Sequence, residues 1–467
     1  MAEEKKYSSS LDIDDELIDE IHQLIASRSD AILKTILTDL YNYDIAVLIN
    51  NLKEDEDAAY LFSLLDDETA SEVILEVYDE RRDFIVEQLG KDKISDLVGE
   101  MHSDDAADFV SELEEDVAEQ VLTELEKEDK EDSDEIRELL RYDENTAGGI
   151  MAKEFIAVNQ RLTVAEAVNI VQEKAEEIDQ FYNLLAVDDN GKLTGIISLK
   201  RLIIALKNPE QILLQVMNPD VISVEADVDQ QEVAKIMQSY DLVSLPVVDE
   251  QDRLIGRISI DDVIDVIEEE FTEDVAKMTG TDAEELEKKS PFEIAKLRLP
   301  WILVTLGIEI IAIFVIKSHD AILERVILLA AFMPIISAIS GNTGLQTAAI
   351  IVRAIDTGYV NISTWWKPLA KQMSTTLIIA FVVGCLTGLI GYIMMDGNKS
   401  AFGLTVGISM FVSINIAGLM GTCVPMISKR FGLDPAITSG PFETAFQDVV
   451  GISIFLSIAT YMLSHLN

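Results

Sequence analysis

Apolar positions recur every twelve residues from about Asp44 to Leu125. Ala46, Ala58, Ala70, Arg82, Ile94, Ala106 and Ala118 stand in register, as do Ile49, Leu61, Val73, Ile85, Leu97, Phe109 and Val121. A third column runs Leu65, Val77, Leu89, Met101, Leu113 and Leu125. Within each copy the apolar spacing is three and four, which marks one face of a helix. Glu54-Asp55, Asp66-Asp67 and Ser103-Asp104-Asp105 open their units with residues suited to an N-cap or first turn. The pattern predicts an all-α array of short helices stacked as a solenoid, spanning 44–140 after a lead-in of 1–43. The plainest role of such an array is scaffolding or protein contact. Residues 126–145 read as a charged linker with one helix.

A second duplication follows over 141–259. LLAVDDNGKLTGIISLKRLI (184–203) resembles SLPVVDEQDRLIGRISIDDVI (244–264). Each copy is preceded by an extended run, Phe155–Val158 or Val221–Val224, and by a helix opened at Thr163 or Asp227. The predicted order is strand, helix, strand, strand, helix, with DDNG and DEQD as hairpin turns. Two such copies in tandem resemble a pair of cystathionine-β-synthase (CBS) domains, α+β modules that bind nucleotides or ions and are not catalytic. The second copy is expected to end in a long acidic helix from Ile260 to about Lys289, part of a connecting segment over 260–296. Its apolar stripe includes Val263, Ile267, Phe271 and Val275. Where the first copy has Lys200 and Arg201, the second has Asp261 and Asp262.

Beyond Leu297 the pattern changes to long apolar segments at about 299–316, 326–352, 374–395, 402–427 and 435–464. Each is long enough to cross the roughly 30 Å hydrocarbon core of a bilayer. Lys296 and Arg298 precede the first, Arg353, Lys367 and Lys371 follow the second, and Lys429 and Arg430 follow the fourth. Basic residues collect on the cytosolic side, so the N-terminus is expected in the cytosol and the C-terminus outside the cell membrane.

Charge sharpens this division. Of 36 Lys/Arg and 85 Asp/Glu, nine and eight lie from Leu297 onward, so the first 296 residues hold 27 and 77, a net −50. Such a unit repels nucleic-acid phosphate and attracts cations. Cys385 and Cys423 both sit in apolar segments, so the soluble part has no disulfide framework, as suits a reducing cytosol. The start, MAEEKKYSSS, has no apolar core of a signal peptide. No Gly-x-x-x-x-Gly-Lys-Ser/Thr loop appears, and the four histidines form no HExxH or Cys/His cluster. The chain does not read as an enzyme. Its abundant oxygen ligands suit hard cations such as Mg²⁺.

Three acids lie within the apolar segments: Glu309, Glu443 and Asp448. An ionisable group at bilayer depth costs several kcal/mol, about 2.5–3.5 on insertion scales, unless it faces protein or water. Each reads either as part of an ion pathway or as an interhelical polar contact. Around Asp448, Pro435 and Gly440-Pro441 break the helical ladder, which is tolerated where the backbone lines a cavity. Pro334, Gly341, Asn342, Gly344 and Gln346 are likewise poor choices for a lipid-facing helix.

The order of domains, with PIISAISGNTGLQTAAIIVRAI and DPAITSGPFETAFQD, makes the whole chain resemble the MgtE family of magnesium channels. The resemblance implies a homodimer with one pore on its two-fold axis and an Asp448 from each subunit. It places Gly440 and Thr444 along the pore and Asp434 near its cytosolic mouth. The chain departs from the family at Glu443, where an apolar residue is usual, and at Ala445, where a second Thr is common. Two Asp448 carboxylates can hold a largely hydrated Mg²⁺ through its waters, and weak sites permit conduction. The acidic surfaces are expected to close the pore when Mg²⁺ bridges them, through Asp104, Asp108, Asp261, Asp262, Asp265, Glu269, Glu273 and Asp274. Asp262 equally fits a ribose-binding acid for a nucleotide such as ATP. A cation-coupled transporter of divalent metals, or a membrane sensor that transports nothing, are the alternatives.

Overall fold

The computed structural model describes residues 15–174, 178, 182–283, 290–360 and 364–463. The chain divides between Glu268 and Glu269 into two compact units.

The first unit opens with two helices inside the expected lead-in, α1 (Asp15–Ala26) and α2 (Asp30–Thr38). Seven repeat helices follow: α3 (Asn42–Asn51), α4 (Asp55–Phe62), α5 (Asp67–Leu75), α6 (Asp79–Gln88), α7 (Lys91–Gly99), α8 (Ser103–Glu112) and α9 (Glu115–Glu128). From α4 onward they start twelve residues apart, as the apolar columns require. Helix α3 packs on α5, α4 on α6, α5 on α7 and α7 on α9, so alternate helices form two rows. The column from Ile49 to Val121 is buried throughout. Arg82, the one charged member of the first column, is neutralised by Asp79 and Glu112.

The charged stretch 126–145 is more ordered than a linker. It holds the end of α9 and the whole of α10 (Lys130–Leu139), capped by Asp129, whose Oδ1 accepts from the Glu131 amide at 2.8 Å. Ser133, Ile136 and Leu139, three residues apart, bury the inner face of α10. Helix α10 is the one helix expected in this stretch, and it docks through a single narrow stripe.

The duplicated region folds as expected. The first copy is β1 (Ala157–Asn159), α11 (Val164–Lys174), β2 (Asn183–Val187), β3 (Leu193–Ser198) and α12 (Leu199–Ala205). The second is β4 (Val224–Glu225), α13 (Gln230–Tyr240), β5 (Ser244–Val248), β6 (Leu254–Ser259) and α14 (Ile260–Thr279). In both sheets the first strand runs parallel to the second and the second antiparallel to the third. Thr163 and Glu166 make a reciprocal capping box at α11. At α13 the cap is Asp229, which accepts from the Gln231 amide at 2.9 Å; Asp227, two residues earlier, is not the cap. The hairpin tips meet through Lys192 and Asp252, 2.6 Å apart. One apolar core runs from Ile21 to Val266, joining the helical array to the second copy.

Helix α14 ends at Thr279, short of the expected Lys289, because Gly280 takes the left-handed conformation (φ +73°) that terminates helices. Residues 284–289, the remainder of that expectation, lie outside the described residues.

Among the described residues, the second unit contains five helical segments long and apolar enough to cross a membrane. They are α15 (Pro291–Ser318), α17 (Leu328–Asp356), α18 (Trp366–Met394), α19 (Lys399–Arg430) and the broken pair α20 (Pro435–Ser439) and α21 (Pro441–Leu463). A short helix, α16 (Asp320–Arg325), links the first two. The break falls at Gly440, as the Gly-Pro step requires. Helices α18 and α19 touch backbone to backbone: a Cβ added at Gly403 would lie 2.7 Å from the Gly388 carbonyl.

Candidate functional site

Asp448 lies two turns into α21 and is half-buried. Ser337 of α17 donates its hydroxyl to Asp448 Oδ1. The Glu309 carboxyl of α15 lies near enough to feel the same side chain. Helix α21 contains no Lys or Arg. Three helices thus bring two acids and a hydroxyl to one point, with the α17 backbone close by: a Cβ at Gly341 would meet Asp448 Oδ1 at 3.8 Å and Thr444 Cγ2 at 3.6 Å. Thr444 and Asn342 are exposed. Glu309 therefore joins Asp448, a pairing the sequence left undrawn.

Glu443 has a different setting. It is fully buried, and its Oε1 accepts from Gln447 Nε2 at 3.0 Å. Its Oε2 and the Gln447 Oε1 have no hydrogen-bond partner. A side chain on Gly344 would press on Glu443 Oε1 at 2.9 Å, so the small residue in α17 makes room for the acid.

Asp434 and Gly440 bracket α20. Asp434 Oδ1 caps it by accepting from the Ala436 amide at 2.8 Å, and its Oδ2 lies 3.3 Å from Lys277 Nζ. Gly440 is buried against the Met278 carbonyl of α14.

In the first unit, the start of α8 meets the start of α14 in a seam of carboxylates. Asp104 is 8% exposed, and burial with Asp262, Asp105 and Glu154 nearby holds its carboxyl well above the usual range. Burial and Asp262 push Asp105 up to about 6, against the pull of His102. Glu154 is clamped by the Ser103 amide and hydroxyl, both at 2.9 Å. Burial and Glu154 push Glu135 of α10 up to about 7. Asp265 is raised by burial, then by Glu76 and Asp262. Asp262 has one oxygen engaged, since Oδ2 accepts from the Ser259 amide at 2.9 Å and its hydroxyl at 2.5 Å.

Of the expected regulatory acids, Asp104, Asp261, Asp262 and Asp265 thus come under one another's field. Asp108 is exposed one turn further along α8, and Glu269, Glu273 and Asp274 belong to the second unit. Among the described residues, no three His, Cys, Asp or Glu side chains are arranged to hold a metal ion. Sequence reasoning missed Asp105, Glu135, Glu154, Ser337, Gln447 and Lys277. Ser337 and Gln447 at least stand out as polar residues in apolar helices; the rest carry no local signal.

A cleft of about 370 Å³ in the first CBS copy is lined by Asn183, Ser198, Lys200, Arg201 and Asn218. Its two cations stand where the second copy has acids.

Comparison with known proteins follows the same division. A family described as "Divalent cation transporter" matches residues 333–458, the "MgtE intracellular N domain" matches 40–145, and the CBS domain matches 147–208 and 213–269. The magnesium transporter MgtE of Thermus thermophilus is 34% identical over 331 residues, 70% of this chain and 72% of that protein. That of Enterococcus faecalis is 32% identical over 337 residues, covering 72% and 73%. A crystal structure of the cytosolic domain of the Mg²⁺ channel MgtE in complex with ATP covers 53% of this chain and 99% of its own, at 30% identity and a TM-score of 0.46. With family models matching the helical array, the CBS pair and the apolar helices in this order, and a relative 34% identical over 72% of its own length, the chain belongs to the MgtE family.

Proposed function

We propose that the protein is a Mg²⁺ channel of the cell membrane that admits Mg²⁺ to the cytosol and closes when cytosolic Mg²⁺ is plentiful. The observation that carries this reading is Asp448: a half-buried acid in an apolar helix with no base, flanked by Ser337 and Glu309. Oxygen donors alone suit a hard, hydrated divalent cation. Inward flow needs no ATP, since the membrane potential supplies about 2.3 kcal/mol per charge per 100 mV. The working unit is a homodimer with an Asp448 from each copy facing one pore, and Thr444 and Asn342, exposed in a single chain, line it. The N-terminus lies in the cytosol and the C-terminus outside.

Closure draws on the carboxylate seam. Acids this close resist ionising together, and cations between them relieve the repulsion. Among the described residues no three His, Cys, Asp or Glu side chains are arranged to hold a metal ion, so in this reading Mg²⁺ is held at the seam through its own waters. The Lys200–Arg201 cleft suits the phosphates of a nucleotide such as ATP. A second reading, a cation-coupled transporter, draws on Glu443, whose buried Oε2 lacks a partner.

Uptake of Mg²⁺ into liposomes holding the purified chain, beside Asp448→Ala, tests the proposal. Loss of uptake in the variant is expected. Equal uptake would move the pathway elsewhere, and no uptake by the folded parent would favour a sensor.

A further inference from the structure

Glu443 and Gln447 lie one turn apart near the start of α21, and both are fully buried. Gln447 donates from Nε2 to Glu443 Oε1 at 3.0 Å. That bond joins one edge of the amide to one edge of the carboxylate. The remaining oxygens, Glu443 Oε2 and Gln447 Oε1, therefore belong to one small patch, and neither has a hydrogen-bond partner. Helices α17 and α19 close over it. A Cβ on Gly344 of α17 would lie 2.9 Å from Glu443 Oε1 and 3.3 Å from Gln447 Cγ, and one on Gly421 of α19 would clash with the Gly344 carbonyl oxygen. The hydroxyls beside Gly344 are engaged elsewhere: Thr343 donates to the Ile339 carbonyl and Thr347 to the Thr343 carbonyl, both at 2.8 Å. Opposite charge is remote. Neither α20 nor α21 contains a Lys or Arg. Along α17 the nearest base to Gly344 is Arg353, nine residues or about 13 Å away. Along α19 the nearest to Gly421 is Lys429, eight residues or about 12 Å away.

Two oxygens without donors, sealed from water beside a carboxylate without a counterion, are what a cation leaves behind when it is removed. A water molecule would satisfy both oxygens and leave the charge unbalanced, and a bare buried carboxylate is costly. We propose that Glu443 and Gln447 bind one Na⁺, which clasps the start of α21 to α17. One carboxylate and one neutral amide oxygen carry a single negative charge, which a monovalent ion cancels and a divalent ion overshoots. Mg²⁺ also keeps several of its waters, and a fully buried pair against Gly344 leaves no room for them. The same close packing favours Na⁺ over the larger K⁺. The ion is a resident of the fold and not its cargo, so the site stands independently of the pathway proposed at Asp448. In Na⁺-free medium the two oxygens stay unpartnered and the packing of α21 on α17 is weakened.

The full-length protein in detergent, free of Mg²⁺, tests this in NaCl, KCl or choline chloride at equal ionic strength. Its thermal midpoint is expected to rise with the logarithm of Na⁺ concentration, as for any ligand held by the folded state alone, and not with K⁺ or choline. Radioactive Na⁺ is expected to bind the parent at one ion per chain. Binding is expected to be lost in Glu443→Gln, which keeps the shape and removes the charge, and kept in Asp448→Asn. Equal shifts in the three salts, no bound Na⁺ in the parent, or binding that survives Glu443→Gln would each overturn the site. Binding lost in Asp448→Asn would also overturn it, by moving the ion into the pathway. Gly344→Ala, which presses on Glu443 Oε1, provides a second variant should Glu443→Gln fail to fold; it is expected to lose the Na⁺-dependent shift, and a shift equal to the parent's would count against the clasp. A parent that carries no Mg²⁺ defeats the channel reading, while Na⁺ binding still judges this site.

Discussion

Asp448 and Glu443 sit five positions apart on one helix and face opposite circumstances. Asp448 has a hydroxyl and a second acid beside it, in a half-buried position where water or an ion can reach. Glu443 is sealed, with one oxygen held by Gln447 and the other unpaired. A buried polar group without a partner costs about 1–3 kcal/mol. Replacing Glu443 and Gln447 together by Met is therefore expected to raise the thermal midpoint of the membrane unit. Glu443→Met alone should gain less, because it strands the Gln447 amide; a light-scattering or fluorescence melt in detergent reads both. Each acid was legible in the sequence because a charge in an apolar run is conspicuous. Their partners were not. Ser337 stands out from the apolar residues of α17 but is one of several small polar residues there, and Lys277 looks like any base on an acidic helix until α20 is placed beside it.

The twelve-residue columns foretold where helices start, because one short helix and its turn consume that length and each helix buries the same positions. The duplicated strands were legible for a similar reason, their alternation being fixed by a sheet with one covered face. Ends were harder. The limit of α14 depends on a single left-handed glycine, and α10 on three inward residues in an otherwise charged stretch. Caps give a direct test at this scale. Asp66 accepts from the Thr69 amide at 3.0 Å, and that bond holds its carboxyl below the usual range. Asp66→Ala should cost the helical array about 1 kcal/mol, measured by urea unfolding of the soluble half. The difference between the two proteins should persist at neutral pH and fade as pH falls through the lowered value of the folded carboxyl, since a protonated cap no longer favours the folded state.

Across the whole molecule, charge segregation matters more than any one residue. Asp105 and Glu135, pushed up to about 6 and about 7, take up protons on folding where an unfolded acid near 4 would not. Their contribution to stability is present below the unfolded value and is lost as pH rises through the folded ones. Without divalent cations, the thermal midpoint of the first unit is expected to fall between about pH 4 and pH 7. Saturating Mg²⁺ should flatten that slope if ions take the place of protons in the seam; an equal slope with and without Mg²⁺ would count against the seam as a Mg²⁺ sensor. The seam also has a statistical consequence. A negative pocket enriches a singly charged ion by some factor, and a doubly charged one by the square of it. If the seam senses Mg²⁺ as proposed, the carboxylates lying between α8 and α14 would weigh Mg²⁺ against the K⁺ around it, in the manner of a Donnan compartment. A cell that gains potassium without gaining magnesium would, by this measure, register as short of magnesium.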